Sequence, residues 1–281
     1  MDGLKEIITE VWKKETKNTF TFLTGAGLSA DSGIPTYRGS DGIWIKGTRY
    51  HKPEEFGTFK YFIENPEEVW QHTMFRKQMF RNAAPNSSHT TIAEIESLLG
   101  DRFQLITQNI DNLHKRAGSS NVYEIHGNYR EVKCSGKCKG ILSFPEGVGD
   151  KNETEDLSAE EIDLLKCPRC GSWLRPNVLL FDEEYDEVTN KKFSALSAAK
   201  NTGILFVTGT SGATNLPMEI AKTTLKYGGY VIDINTEDNH FTDLIKDKKR
   251  KLIIRSKTSE ALPVIRDLIS GCVNDDAKVQ V

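Results

Sequence analysis

The sequence predicts an α/β fold: a parallel sheet with helices on both faces, carrying a small module of different construction. Three observations point there. Short, near-continuous apolar segments alternate with helix-period segments along most of the chain, as strands buried between crossover helices do. The first of these strands runs straight into a glycine-rich turn, GAGLSADSG at 25–33. Four cysteines, Cys134, Cys138, Cys167 and Cys170, fall as C-x3-C and C-x2-C where the alternating rhythm breaks down.

Taken in order, the start MDGLKEIITEVWKKETK has no apolar signal core and reads as an amphipathic helix, with Leu4, Ile7, Ile8, Val11 and Trp12 on one face. Strands are expected at 19–24 (TFTFLT), 103–108 (FQLITQ), 121–126 (NVYEIH), 203–209 (GILFVTG), 229–235 (GYVIDIN) and 251–256 (KLIIRS). Helical periodicity falls near 55–64, 66–82, 88–99, 110–117, 190–200, 216–227 and 258–270. Two pieces interrupt this order: a helical, aromatic-rich one at about 39–82 and the cysteine-bearing one at about 131–177. The acidic stretch EGVGDKNETEDLSAEE (146–161) inside the second is expected to be an exposed excursion. The division is therefore a nucleotide-binding domain from 1–38, 83–130 and 178–281, a helical module at 39–82 and a zinc-binding module at 131–177.

Composition excludes several classes. The chain has 281 residues, 37% hydrophobic and 27% charged, with net charge -3. That balance suits a globular protein and offers no general attraction for nucleic acid. The longest apolar runs, near 178–181 and 204–207, fall far short of the roughly 20 residues of a membrane span. No membrane partner is expected, and a cytoplasmic location is. The fifth cysteine, Cys272, lies near a polar tail and has no companion.

A strand, a tight glycine turn and a following helix form a cradle for phosphate, because backbone N–H groups point at the anion and missing side chains let it approach. Gly25 and Gly27 fit the G-x-G-x-x-G pattern of Rossmann-like dinucleotide sites, and Ala30 takes the third position. No lysine of the P-loop kind follows. The two cysteine pairs, 28 residues apart and set among glycine and proline, suit a tetrahedral zinc ion. Four thiolates leave no open coordination position, so such a zinc is structural and the chemistry lies elsewhere.

The words GAGLSADSGIPTYRG (25–39), TQNIDNLH (107–114), EIHG (124–127), the cysteine pairs, RPNVLLFDEE (175–184), GTS (209–211) and IN (234–235) occur in this order. Together they resemble the sirtuins, NAD-dependent protein lysine deacylases, from about residue 5 to 270. The resemblance implies a Rossmann-type domain, a small domain of zinc and helical modules, and a cleft between them for NAD and an acyl-lysine peptide. It implies that Gly25, Ala26, Gly27 and Ala30 lie against the pyrophosphate, and that Tyr37 and Arg38 belong to a mobile cofactor loop. Gln108 would touch the nicotinamide ribose, Asn109 and Asp111 would hold the nicotinamide end, and His126 would be the general base. Gly209, Thr210, Ser211 and Asn235 would contact the adenosine side. Val178, Phe181, Asp182 and Glu183 would pair with the substrate backbone by strand addition. The acyl group would end on ADP-ribose, leaving lysine and nicotinamide. An imidazole titrates in the range such a base needs.

Simpler roles stand beside these. Asn109 and Asp111 flank the start of the helix expected near 110 and are placed to cap it. His114 reads as a local hydrogen-bonding residue, and His51, His72, His89 and His240 have no partner pattern. The chain departs from the family pattern in three places: Thr36-Tyr37 before the loop arginine, Asp182 where the substrate loop usually has glycine, and GATNLP (212–217) after GTS. Asp182 adds a charge that would favour basic peptides. The last change would touch either the adenosine side or the substrate channel.

Sirtuins that remove succinyl groups carry a Tyr-x-x-Arg pair on the helix after the cofactor loop. Aligning on Trp70 puts Arg76 at the arginine position and Thr73 at the tyrosine position, one face of one helix. Arg76 could grip an acidic acyl tail as a substrate-binding residue; with half the pair present, a solvated or snorkelling helix residue is the expectation placed ahead of that, and neutral acyl groups are the expected substrates. Two alternatives remain. One is transfer of ADP-ribose to protein or to water at the same site. The other is a zinc-ribbon module for nucleic acid, which the acidic 150–161 stretch and the lack of an aromatic ladder oppose.

Overall fold

The computed structural model describes residues 3–36, 56–136, 138–152 and 155–279. Six strands, β1 (Thr19–Thr24), β2 (Phe103–Thr107), β3 (Val122–Glu124), β7 (Thr202–Thr208), β8 (Tyr230–Asn235) and β9 (Lys251–Arg255), form one parallel sheet in the order β3-β2-β1-β7-β8-β9. The order reverses between β1 and β7, which places a crevice beyond their carboxyl ends, where open α/β sheets bind ligands.

The apolar runs are explained by alternation. Phe20 and Phe22 of β1, Ile204 and Phe206 of β7 and Ile232 of β8 join one core. Leu23, Leu205, Val207 and Val231, their neighbours along the strands, join the other. Both faces are buried, so apolar residues follow one another along each strand, and the polar ones among them, such as Thr21 and Asp233, are buried too. Phe22 stacks between Phe103 and Phe206, with ring centroids 5.6 and 4.7 Å away. The first core is covered by the helices Leu4–Trp12, Ser87–Leu99 and Thr258–Val279. Leu4, Ile8 and Val11 are its fully buried contribution from the amino-terminal helix, with Ile7 and Trp12 at the margin. The second is covered by Lys192–Asn201, Asn215–Lys226 and His240–Ile245. No helix among the described residues is long and apolar enough to cross a membrane.

A second, antiparallel sheet of three strands is built from β4 (Gly127–Cys134), β5 (Ile141–Ser143) and β6 (Leu174–Val178), in the order β5-β4-β6. Sequence periodicity misses it, because its strands are short and half-buried. It shares a core with the helices Phe59–Glu64 and Pro66–Asn82: Phe62, Trp70 and Met74 pack on Val132, Leu165, Cys167 and Leu174. Trp70 is fully buried, and its indole N–H donates to the Leu174 carbonyl at 2.8 Å. That bond supplies the partner a buried indole needs.

The acidic stretch expected to be an excursion lies on the surface but is pinned. Lys151 pairs with Glu161 at 2.8 Å with both side chains largely buried, and Val148 reaches the shared core. Residues 159–164 form a helix, capped by Ser158 and Glu161 in a reciprocal capping box.

Candidate functional site

The crevice is a cavity of about 980 Å³ between the two sheets. Its floor is the turn after β1. Gly25, Ala26, Gly27 and Ala30 all line it, and the following residues, Ala26–Ser32, form a 3-10 helix. A Cβ on Gly25 would lie 2.6 Å from the Thr210 Cβ, and one on Gly27 would lie 2.9 Å from the Gly209 carbonyl. The Gly27 amide donates to that carbonyl at 2.8 Å. These glycines therefore let the two switch-point loops touch, and the Gly27 N–H is occupied by protein rather than offered to an anion. Asn86 braces the turn from behind, donating to the Leu28 carbonyl and the Ser32 hydroxyl.

Beyond β2, the Gln108 side chain donates to the Thr210 hydroxyl at 2.8 Å. Asn109 is buried and donates to the Gly25 carbonyl at 3.0 Å and to Ser29 Oγ at 3.1 Å. Asp111 lies behind the cavity wall. One carboxylate oxygen accepts from Ser29 at 2.7 Å and the other from the Leu113 amide at 2.9 Å. Of the two expected caps, Asp111 accepts from the first amide of the short helix Leu113–Arg116, whose N-cap is Asn112, while Asn109 turns to the glycine turn. Burial raises the Asp111 carboxyl above the ordinary range. Ser29 joins both residues and was not singled out by sequence, because serine in a glycine turn carries no distinguishing pattern.

His126 follows β3 on the cavity wall. The next residue, Gly127, has φ +79, and a Cβ there would overlap the Asn177 carbonyl at 1.8 Å. Only glycine passes this corner. The His126 carbonyl accepts from the Leu179 amide at 3.0 Å. His126 Nε2 lies 2.9 Å from the Tyr185 hydroxyl. Burial lowers its pKa to about 4, against a hydrogen bond to the Gln108 backbone that raises it, so the ring is neutral at working pH.

Val178, Phe181 and Glu183 line the cavity, with Phe181 exposed. Asp182 faces elsewhere. Its carboxylate accepts from the amides of Phe59 at 2.6 Å and Lys60 at 3.2 Å, at the amino end of the Phe59–Glu64 helix. Glu183 is ion-paired with Arg175. The Asp182 charge therefore serves the protein's own helix, which removes the ground for expecting a preference for basic peptides. The Phe181 amide also donates to the Gly57 carbonyl at 2.9 Å, so this loop is tied to the helical piece.

Gly209, Thr210, Ser211 and Asn235 line the far end, and Asn235 donates to Asp233. Within the GATNLP segment, the Thr214 hydroxyl donates to Gln108 Oε1 at 3.3 Å. Arg76 and Thr73 are each 3% exposed and line the cavity, which corrects the expectation of a solvated arginine. The Thr73 hydroxyl donates to the Val69 carbonyl of its own helix at 2.8 Å. Tyr37 and Arg38 lie outside the described residues. His114 is buried and bonds Thr24 Oγ1 at 2.9 Å, the local role expected of it.

The four cysteine sulfurs lie within 4.8 Å of one another, with Cys134 and Cys170 at 3.5 Å. Four thiols so close compete for charge: hydrogen bonds from Ser172 bring Cys170 down to about 6, and contact with Cys170 sends Cys138 up to about 12. A dication resolves that competition, and the set suits tetrahedral zinc.

A family model described as the Sir2 family matches residues 25–215, about two thirds of the chain. The chain belongs to the Sir2 family. Among Sir2 relatives, the NAD-dependent protein deacylase of Pyrococcus abyssi is 38% identical over 248 residues, 88% of this chain and 91% of the relative. A mutant Sir2 homologue in complex with ADP-ribose matches over 100% of both chains, with TM-score 0.76 and 32% identity. A Sir2 complex with a p53 peptide and NAD+ matches over 95% of this chain and 97% of that one, with TM-score 0.70 and 26% identity.

The buried His89 and His114 and the half-buried His72 and His126 are expected to make the stability of this Sir2 protein depend on pH. Burial lowers His72 to about 3, His89 and His126 to about 4, and His114 as well. Each folded value lies below the ordinary 6.5, so this stability is complete above about pH 6.5 and is lost as pH falls toward 4, where only the unfolded chain takes up the protons. Asp111, raised by burial, offsets part of the loss. The melting temperature is expected to fall by about 5 °C or more between pH 7 and pH 5. An unchanged melting temperature would mean that these rings are protonated in the fold.

Proposed function

We propose that this protein is an NAD-dependent protein lysine deacylase of the deacetylase type, transferring the acyl group of a modified lysine to ADP-ribose with release of nicotinamide. The observation that carries this reading is the meeting, around one cavity, of the glycine turn, Asn109 and the neutral imidazole of His126, with the 178–183 segment along its edge. NAD supplies a ribose carbon whose nicotinamide substituent is already a good leaving group. The protein supplies placement and a base. The turn at 25–27 receives the pyrophosphate, Gln108 and Asn109 hold the nicotinamide ribose and ring, and Asp111 acts through Ser29 by fixing that wall. His126 accepts the proton of a ribose hydroxyl. Gly209, Thr210, Ser211 and Asn235 take the adenosine end, and Tyr37 and Arg38 are assigned to cofactor binding. An extended peptide runs along Val178, Phe181 and Glu183. Asp182 shapes this edge by anchoring it to the helical module.

The chain divides as 1–38, 83–130 and 178–281, with modules at 39–82 and 131–177; the shared core of the two modules supports treating them as one small domain. Cys134, Cys138, Cys167 and Cys170 hold zinc. Four clustered thiols suit a reducing compartment, and we place the enzyme in the cytoplasm.

Neutral acyl groups are the preferred substrates. Arg76 reaches the cavity, but the Thr73 hydroxyl proton is already donated within its helix, so an acidic tail meets one donor group and not two. The test is a panel of acetyl-, succinyl- and long-chain-acyl-lysine peptides incubated with NAD, with small-molecule products read by mass. Acyl-ADP-ribose is expected, fastest from neutral acyl groups, with succinyl turnover weak and abolished by Arg76→Ala. Free ADP-ribose, or label on protein, would favour ADP-ribosyl transfer or NAD hydrolysis instead. Succinyl turnover exceeding the others would overturn the acyl assignment.

A further inference from the structure

Tyr185 follows the loop that carries Asp182, and Thr214 lies in the segment after GTS; the structure brings Tyr185 onto His126 and Thr214 onto Gln108. The Tyr185 hydroxyl sits 2.9 Å from His126 Nε2, with the rings tilted and their centroids 5.8 Å apart. The Thr214 side chain lowers the Tyr185 pKa against the effect of burial. Thr214 donates to Gln108 Oε1, and Gln108 Nε2 in turn donates to Thr210. All five residues line the cavity.

The direction of the first bond follows from the other partners. The Gln108 amide donates to the Thr24 carbonyl, so it is the Gln108 carbonyl that receives the imidazole N–H. A neutral imidazole carries one proton. With that proton on the nitrogen facing Gln108, Nε2 is an acceptor and the Tyr185 phenol donates to it. The phenol stays protonated: burial pushes it up to about 12, against the lowering by Thr214. The charged groups on the surrounding elements are engaged elsewhere. Glu183 is paired with Arg175, Asp111 accepts from Ser29 and Leu113, and the Arg76 guanidinium lies 5.2 Å from the Phe80 ring centroid.

We propose that Tyr185 is a positioning residue for the base: its hydroxyl, 2.9 Å from the ring, fixes the His126 tautomer with Nε2 as acceptor and holds that lone pair in place until a substrate hydroxyl takes over the bond. This rests on His126 being the general base. Donation to Nε2 stabilises only the neutral ring, so it keeps the base unprotonated in mildly acidic solution. It also couples the ring to Gln108, which ties the base to the wall that holds the sugar.

The test is Tyr185→Phe, which keeps the ring and removes the hydroxyl. The parent kcat/KM is expected to be flat from pH 7 to 5.5. In the variant, the acid limb moves up into that window and kcat falls about tenfold at pH 7.5, the lower end of what loss of an orienting partner costs. The Kd for NAD stays within about twofold. A merely structural role would leave the position of the limb unmoved. A variant with the parent melting temperature, limb and kcat overturns the proposal. Should Tyr185→Phe lose its melting transition, Thr214→Val is read the same way: a smaller upward shift of the limb supports the coupling, and none overturns it. His126→Ala separates the layers. If that variant keeps parent turnover, the base assignment has failed, whatever Tyr185→Phe shows.

Discussion

Replacing His126 with alanine is expected to lower turnover by at least about a hundredfold while NAD binding persists. The expectation rests on surroundings more than on the presence of a histidine. Burial holds the ring neutral on the cavity wall, with Nε2 2.9 Å from the Tyr185 hydroxyl. Removing the ring removes the only acceptor that the reading assigns to the ribose hydroxyl, and it leaves the glycine turn and the Asn109 contacts untouched. Single-turnover kinetics with an acetyl-lysine peptide, beside calorimetric titration with NAD, check both halves. Parent-rate deacylation by the variant would assign the base elsewhere. Loss of NAD binding together with turnover would make the residue structural.

The second large effect is expected from the cysteine cluster. Cys134→Ala or Cys170→Ala should each lose about one equivalent of zinc and unfold the small sheet, since structural zinc contributes its binding free energy directly to folding. The damage should spread. Cys167 belongs to the core that also contains Trp70, and Trp70 bonds the Leu174 carbonyl. Loss of zinc should therefore expose Trp70 and shift its fluorescence, while the parallel sheet keeps its own two cores. Metal analysis, tryptophan emission and thermal melting test this together. A full complement of zinc in both variants would refute it.

The parallel sheet was legible because its central strands are buried on both faces, so apolar residues follow one another along them. The 66–82 helix was legible to its end residues, because Pro66 opens it and its apolar face keeps period. The carboxy-terminal helix runs to Val279 although its apolar pattern weakens near 270. The small sheet escaped because three- to eight-residue strands around a metal site owe their order to the ion and to a shared core, not to alternation. At the site, the words of the family placed His126, Asn109 and Gln108 on or beside one cavity. They did not reveal that Asp111 stands behind Ser29, that Asp182 caps a helix, or that Arg76 is buried. Each of those facts depends on what lies across space from the residue. Tyr185 was invisible for the same reason: its partner is 59 positions away.

Gly127 has a consequence for motion. The Leu179 amide is bonded to the His126 carbonyl, and β4 departs at the very next residue, so the imidazole sits on the fulcrum between the large and small sheets. A rotation of the small sheet about this corner would carry Arg76, on the helix Pro66–Asn82 packed against that sheet, while the base beside the pivot would move least. A substitution at Gly127 would shift that pivot, and the base with it.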